Sequence, residues 1–131
     1  MIESQVLDEL HGLRDAVSGV VGCMVATSDG LLVASTLDDD EPTQLAALIS
    51  TVVGLGRHAV RMTGRGELRE ATIRGAEGHV VVHAIGETAV LAVVGRADLN
   101  VALLQLHARP AVQRLLGLAP AFARFLAPAR A

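Results

Sequence analysis

From Glu3 to Ala16 apolar side chains recur at helical spacing, with Val6, Leu7, Leu10, Leu13 and Val17 on one side and Glu3, Asp8, Glu9 and Asp15 mostly off it. This predicts an amphipathic first helix. Two strand-like runs follow, Val20 to Thr27 and Leu31 to Thr36, meeting at Ser28-Asp29-Gly30. Asp-Gly between such runs is a strong hairpin signal, and a tight type I′ turn is the expectation here. The acidic run Asp38 to Glu41 and then Pro42 suit the start of a second helix, because carboxylates favour the positive end of the helix dipole and proline fits the first turn.

That second helix, Pro42 to Met62, shows two stripes. Leu45, Leu48, Ile49, Val52, Gly56, Ala59 and Val60 have the spacing of a face packed on a sheet. A second line, Ala47, Ser50, Thr51, Gly54, His58 and Arg61, is small or polar. Gly54 inside a helix costs about 1 kcal/mol relative to alanine, which points either to close approach by another helix or to a tolerated glycine on a solvated face.

Strand periodicity returns after Gly64-Arg65-Gly66. Glu67 to Arg74 is rich in charge, as expected of an edge strand guarded by Arg69, Glu70 and Arg74. His79 to Ile85 and Thr88 to Val94 are nearly continuous apolar runs, suited to the middle of a sheet, and Gly86-Glu87 between them fits a II′ turn. Asp98 is the expected N-cap of a third helix starting at Leu99, with Pro110 kinking or restarting it. The order α-β-β-α-β-β-β-α packs most economically as an α/β (α+β) domain, a central five-stranded antiparallel sheet with helices on both faces.

A chain of 131 residues forms one domain, here residues 1–118, followed by a tail over 119–131. The tail carries both aromatics, Phe122 and Phe125, beside Leu126 at i, i+3, i+4 spacing. This forms either a docking peptide for a partner groove or a turn packed on its own domain. No apolar run reaches the roughly 18–20 residues of a membrane span, and Met1-Ile2-Glu3-Ser4 has no signal-peptide pattern, so a cytoplasmic protein is expected.

All eleven basic residues are arginine and the net charge is −3, which argues against nucleic acid and for protein partners. Without lysine the chain cannot be a P-loop GTPase, and it holds no G-x-S-x-G or H-E-x-x-H motif. Gly54-Leu55-Gly56-Arg57-His58-Ala59 matches G-x-G-x-x-A, with Glu77 at a suitable distance, but the helical stripe runs straight through it. The lone Cys23 reads as a small apolar filler. His79 and His83, four residues apart on a strand, lie about 13 Å apart, too far for one metal. The consecutive carboxylates of Asp38 to Glu41 lack the spacing of a calcium loop. No catalytic residue, cofactor or metal is expected. Arg57, His58 and Arg61 are candidates for a rim that a partner reads.

The hairpin VVGCMVATSDGLLVAST, the element order, and Val93-Val94-Gly95-Arg96 followed by Asp98-Leu99-Asn100-Val101-Ala102-Leu103-Leu104 resemble the roadblock (dynein light-chain-like) domain family, bacterial branch, over Val6 to Leu118. The resemblance implies a homodimer in which third strands pair and second helices lie side by side. By position, the pairing strand is Glu67 to Arg74, with Leu68, Glu70 and Thr72, and the flanking helix carries Ala47, Ser50, Thr51 and Gly54. It also implies a noncatalytic regulator or scaffold of a Ras-like small GTPase in signalling, in company with a histidine-kinase-like protein, with any membrane recruitment made through partners. The rival readings are a small-molecule-sensing module with a profilin-like or sensor-like fold and an assembly scaffold indifferent to nucleotide state.

Overall fold

A computed structural model describes residues 1–38 and 41–122. In chain order the elements are α1 (Ile2–Ala16), β1 (Val20–Thr27), β2 (Leu32–Ser35), α2 (Pro42–Met62), β3 (Glu70–Gly75), β4 (Gly78–Ile85), β5 (Ala89–Arg96), α3 (Val101–Leu118) and a 3₁₀ turn, Ala119–Phe122. The five strands form one antiparallel sheet in the order β2-β1-β5-β4-β3. The apolar runs β4 and β5 are interior and the charge-rich β3 is an edge, as their compositions require.

The pleat divides the core in two. Cys23, Val25, Val81, Leu91 and Val93 face α1 and α3, where they meet Val6, Leu10, Leu13, Leu104, Leu115 and Phe122. Their neighbours Met24, Ala26, Val82, Val90 and Ala92 point the other way, onto Ala46, Ile49 and Val53 of α2. Apolar residues on both faces of β1, β4 and β5 are therefore the consequence of burial on both faces. Phe122 belongs to this core, so the start of the tail packs on its own domain; Phe125 and Leu126 lie outside the described residues. Arg114 of α3 holds Glu9 of α1 through Nε, 2.9 and 2.8 Å from the two carboxylate oxygens.

Four local expectations are corrected. Among the described residues none but glycine has positive φ, so Ser28-Asp29-Gly30 is not a type I′ turn. Gly30 N donates to Thr27 O at 2.9 Å and Gly30 takes φ +93°, which makes a type I turn ended by a left-handed glycine. The β4–β5 loop spans three residues, since Ile85 pairs with Ala89, rather than the two of a II′ turn. The N-cap of α3 is Asn100, whose side chain accepts from Leu103 N at 3.0 Å, while Asp98 pairs with Arg96. Finally, α3 runs unbroken through Pro110. The ring removes one helical donor, and the carbonyl it leaves, on exposed Leu106, is within reach of water.

Candidate functional site: the outer face of α2 and the β3 edge

Helix α2 starts with Pro42 at its first turn and settles on the sheet through Ala46, Ile49, Ser50 and Val53, flanked by half-buried Leu45, Val52, Gly56 and Val60. This stripe is rotated from the one periodicity suggests. Leu48 and Ala59, assigned to the core by spacing, are exposed, and Ser50, assigned to the outer line, is buried. The cause is a hydrogen bond: Ser50 Oγ lies 2.9 Å from Thr27 O at the end of β1 and 2.9 Å from Ala46 O within the helix. A buried hydroxyl needs such partners, and this one turns the helix so that a serine rather than a leucine faces the sheet. Ala47 abuts the β1–β2 turn, with its Cα 3.3 Å from where a Cβ on Gly30 would stand.

The outward face is consequently apolar. Leu48, Leu55 and Met62 stand seven residues apart on one side of the helix and are 63%, 67% and 74% exposed. Thr51, Gly54, His58 and Ala59 fill the space between them and are exposed too. A Cβ on Gly54 would meet nothing within 4 Å, so nothing in the described chain requires glycine there. Sequence spacing missed this seam because Leu48 was placed in the core, although two successive steps of seven residues were its visible signal.

Beside the helix lies the free edge of β3. Ala84 N donates to Arg69 O at 3.0 Å, so Arg69, Ala71 and Ile73 direct their backbone polar groups at β4. By alternation Glu70, Thr72 and Arg74 direct theirs outward, without a strand partner among the described residues. Ala71 and Ile73 share the α2 side of the sheet with Val82 and Val80, and Ile73 is 44% exposed. Leu68 precedes the strand and packs over Gly56, linking the edge to α2.

Two of the three rim candidates are engaged within the chain. Arg57 donates from Nη2 to Gly86 O at 2.6 Å and from Nη1 to Ser28 Oγ at 3.4 Å, joining α2 to both hairpin turns. Arg61 donates to Glu67 at 3.2 Å and also pairs with Glu87; the hydrogen bond it gives Glu67 and the charges of these two carboxylates raise its pKa further. His58 is exposed and makes no such bond among the described residues. Cys23 is buried, and desolvation pushes its thiol up to about 12 against the opposing pull of Arg14, so it is an inert filler.

The fold is a three-layer α/sheet/α unit with an open sheet edge and an apolar helix seam beside it. The Roadblock/LC7 domain model matches residues 6–95, and the chain belongs to that family. It is 26% identical to a Roadblock/LC7 domain from Streptomyces avermitilis, whose crystal structure superposes with a TM-score of 0.76 over 82% of this chain and 91% of that one. MglB of Myxococcus xanthus has the same fold at 18% identity, with a TM-score of 0.80 over 88% of each chain. An uncharacterised protein of Methanocaldococcus jannaschii is 29% identical over 98 residues, 74% of this chain and 85% of that protein. No helix among the described residues is long and apolar enough to cross a membrane.

Proposed function

We propose that this protein is a homodimeric, noncatalytic regulator or scaffold of a Ras-like small GTPase. The observation that carries the dimer is the seam Leu48–Leu55–Met62, which leaves three large apolar side chains in water at heptad spacing. A second copy of α2 running alongside would bury them, and Gly54 and Thr51 would let the two backbones approach. Beside that contact, the outward groups of Glu70, Thr72 and Arg74 suit antiparallel pairing with the partner's β3.

The two-fold axis of such a pair falls most favourably at Thr72. Glu70 then stands opposite the partner's Arg74, giving complementary charges on one face, and Ala71 opposite the partner's Ile73 gives an apolar pair on the other. All three outward residues exchange backbone bonds in that register, about six in total. Ser50 supports α2 from within rather than forming the contact, since it is buried against the chain's own hairpin, and the exposed Ala47 stands at the turn of that hairpin.

The GTPase partnership rests on family membership. A dimer continues the sheet across two copies and offers a partner one wide surface, bordered by the exposed His58. Any stimulation of hydrolysis would proceed by ordering the GTPase's own residues, because Arg57 and Arg61 are held by their own chain. The test is a fluorescence titration against the Ras-like GTPase encoded nearest to this protein, loaded with GDP or with a nonhydrolysable GTP analogue. Binding that depends on the nucleotide is expected; equal binding to both forms would leave an assembly scaffold instead.

A further inference from the structure

A buried histidine sits directly behind the free edge of the sheet. His83 of β4 is the register partner of Glu70 on β3, and its other neighbour, Leu91 of β5, places the row on the α3 side. The His83 side chain is 3% exposed, and its Nε2 has no hydrogen-bond partner among the described residues. Nδ1 lies 3.9 Å from Glu70 Oε2, so the carboxylate draws the single N–H of the neutral ring to Nδ1 and leaves Nε2 bare. A second proton on Nε2 would be a buried donor without an acceptor, and burial therefore favours the neutral ring.

One neighbour works in the opposite sense. Glu70 from β3 favours the proton, while Arg109 from α3 opposes it. Gln113 of α3, which lines the same cleft as His83, and Leu91 of β5 carry no charge. His79 stands about 13 Å along the same face of β4. Glu70 is the group that dimerisation would take away. In the pairing centred on Thr72, which this inference takes over from the proposed dimer, the partner's Arg74 stands opposite Glu70 on the same face. Its guanidinium engages the carboxylate on which an imidazolium depends and adds a second cation to that of Arg109.

We propose that self-association of this chain is proton-linked through His83, the neutral ring permitting β3 pairing and the charged ring opposing it. The paired edge holds a proton at His83 less readily than the free edge, so the monomer binds more protons in the window between their two values. That window lies below the ordinary 6.5, because burial already lowers the pKa in the single copy. Association is strongest above the window and weakens as pH falls through it, twice over because the contact is two-fold.

The experiment is sedimentation equilibrium of the full chain in steps from about pH 7.5 to about pH 5, with far-UV spectra confirming the fold at each step. The dimer dissociation constant should rise about tenfold over that range, about threefold from each symmetric site. His83→Gln should make it flat. Arg74→Gln, at an exposed position where folding does not depend on the side chain, should weaken the dimer at every pH and also make the profile flat. His79→Gln should leave the slope as it is. A flat profile in the folded natural chain, or a slope that survives His83→Gln or Arg74→Gln, would overturn the linkage and leave the dimer standing. A chain monomeric at every pH would overturn the dimer and the linkage with it.

Discussion

Leu55→Ala separates a solvated helix from a helix seam. Leu55 is 67% exposed, so in an isolated copy the substitution removes few contacts and replaces leucine with the better helix former; the folded monomer should change by no more than about 0.5 kcal/mol. In a two-fold interface the same residue counts twice. Full burial of a leucine side chain is worth about 1.5–3 kcal/mol, and two thirds of it remains to be buried, which gives about 1–2 kcal/mol for each copy and about 2–4 kcal/mol for the dimer. At 1.4 kcal/mol per decade, the dimer dissociation constant should rise by roughly 30- to 1000-fold. Sedimentation equilibrium across a concentration series reads this directly, with a far-UV melt as the control for folding. An unchanged dissociation constant in a folded variant would refute the seam as an interface. A collapse of the melt would refute the premise that Leu55 is idle within the monomer.

Other outcomes follow from the same geometry. Gly54→Leu meets open space in the single copy, so it should stabilise the monomer slightly while weakening association; a dimer of unchanged strength would remove the close approach at that point. Reversing one charge, Glu70→Arg, should weaken the dimer by about 0.5–2 kcal/mol over two symmetric contacts, and adding Arg74→Glu should restore it; a double variant as weak as the single one contradicts the register at Thr72. Burial lowers the pKa of His83 from its usual 6.5, opposed by Glu70 from β3 and assisted by Arg109 from α3. Between its folded value and 6.5 the unfolded chain binds the proton that the folded chain does not, so stability should fall as pH drops through that window and rise back as pH increases. His83→Gln should flatten that part of a melting-temperature profile, and a profile of unaltered slope would show the buried imidazole not to be responsible.

Most of the architecture was legible because periodicity and burial agree in it. The nearly continuous apolar runs of β4 and β5, the charged β3 and the amphipathic α1 each report where they sit. What failed was local and has local causes. The α2 stripe was misjudged by a fraction of a turn because apolarity alone cannot show that Ser50 finds an acceptor on β1. The turn at Ser28-Asp29-Gly30 was assigned from a dipeptide, whereas its conformation depends on how many residues the closing pair encloses. Arg57 and Arg61 looked free in sequence because their acceptors, Gly86 O, Glu67 and Glu87, come together only in the fold. His83 was considered only as a metal ligand beside His79. Its isolation in the core depends on β3 and α3 together, and no spacing within one strand conveys it.

The most direct measurement of the central claim is the mass of complexes formed by this protein with the neighbouring Ras-like GTPase, determined by light scattering after loading with GDP or the GTP analogue. A complex containing two copies of this chain in one nucleotide state and not the other is the predicted result. A single copy bound, no complex at micromolar concentrations, or the same complex in both states would contradict a dimeric regulator that reads the nucleotide.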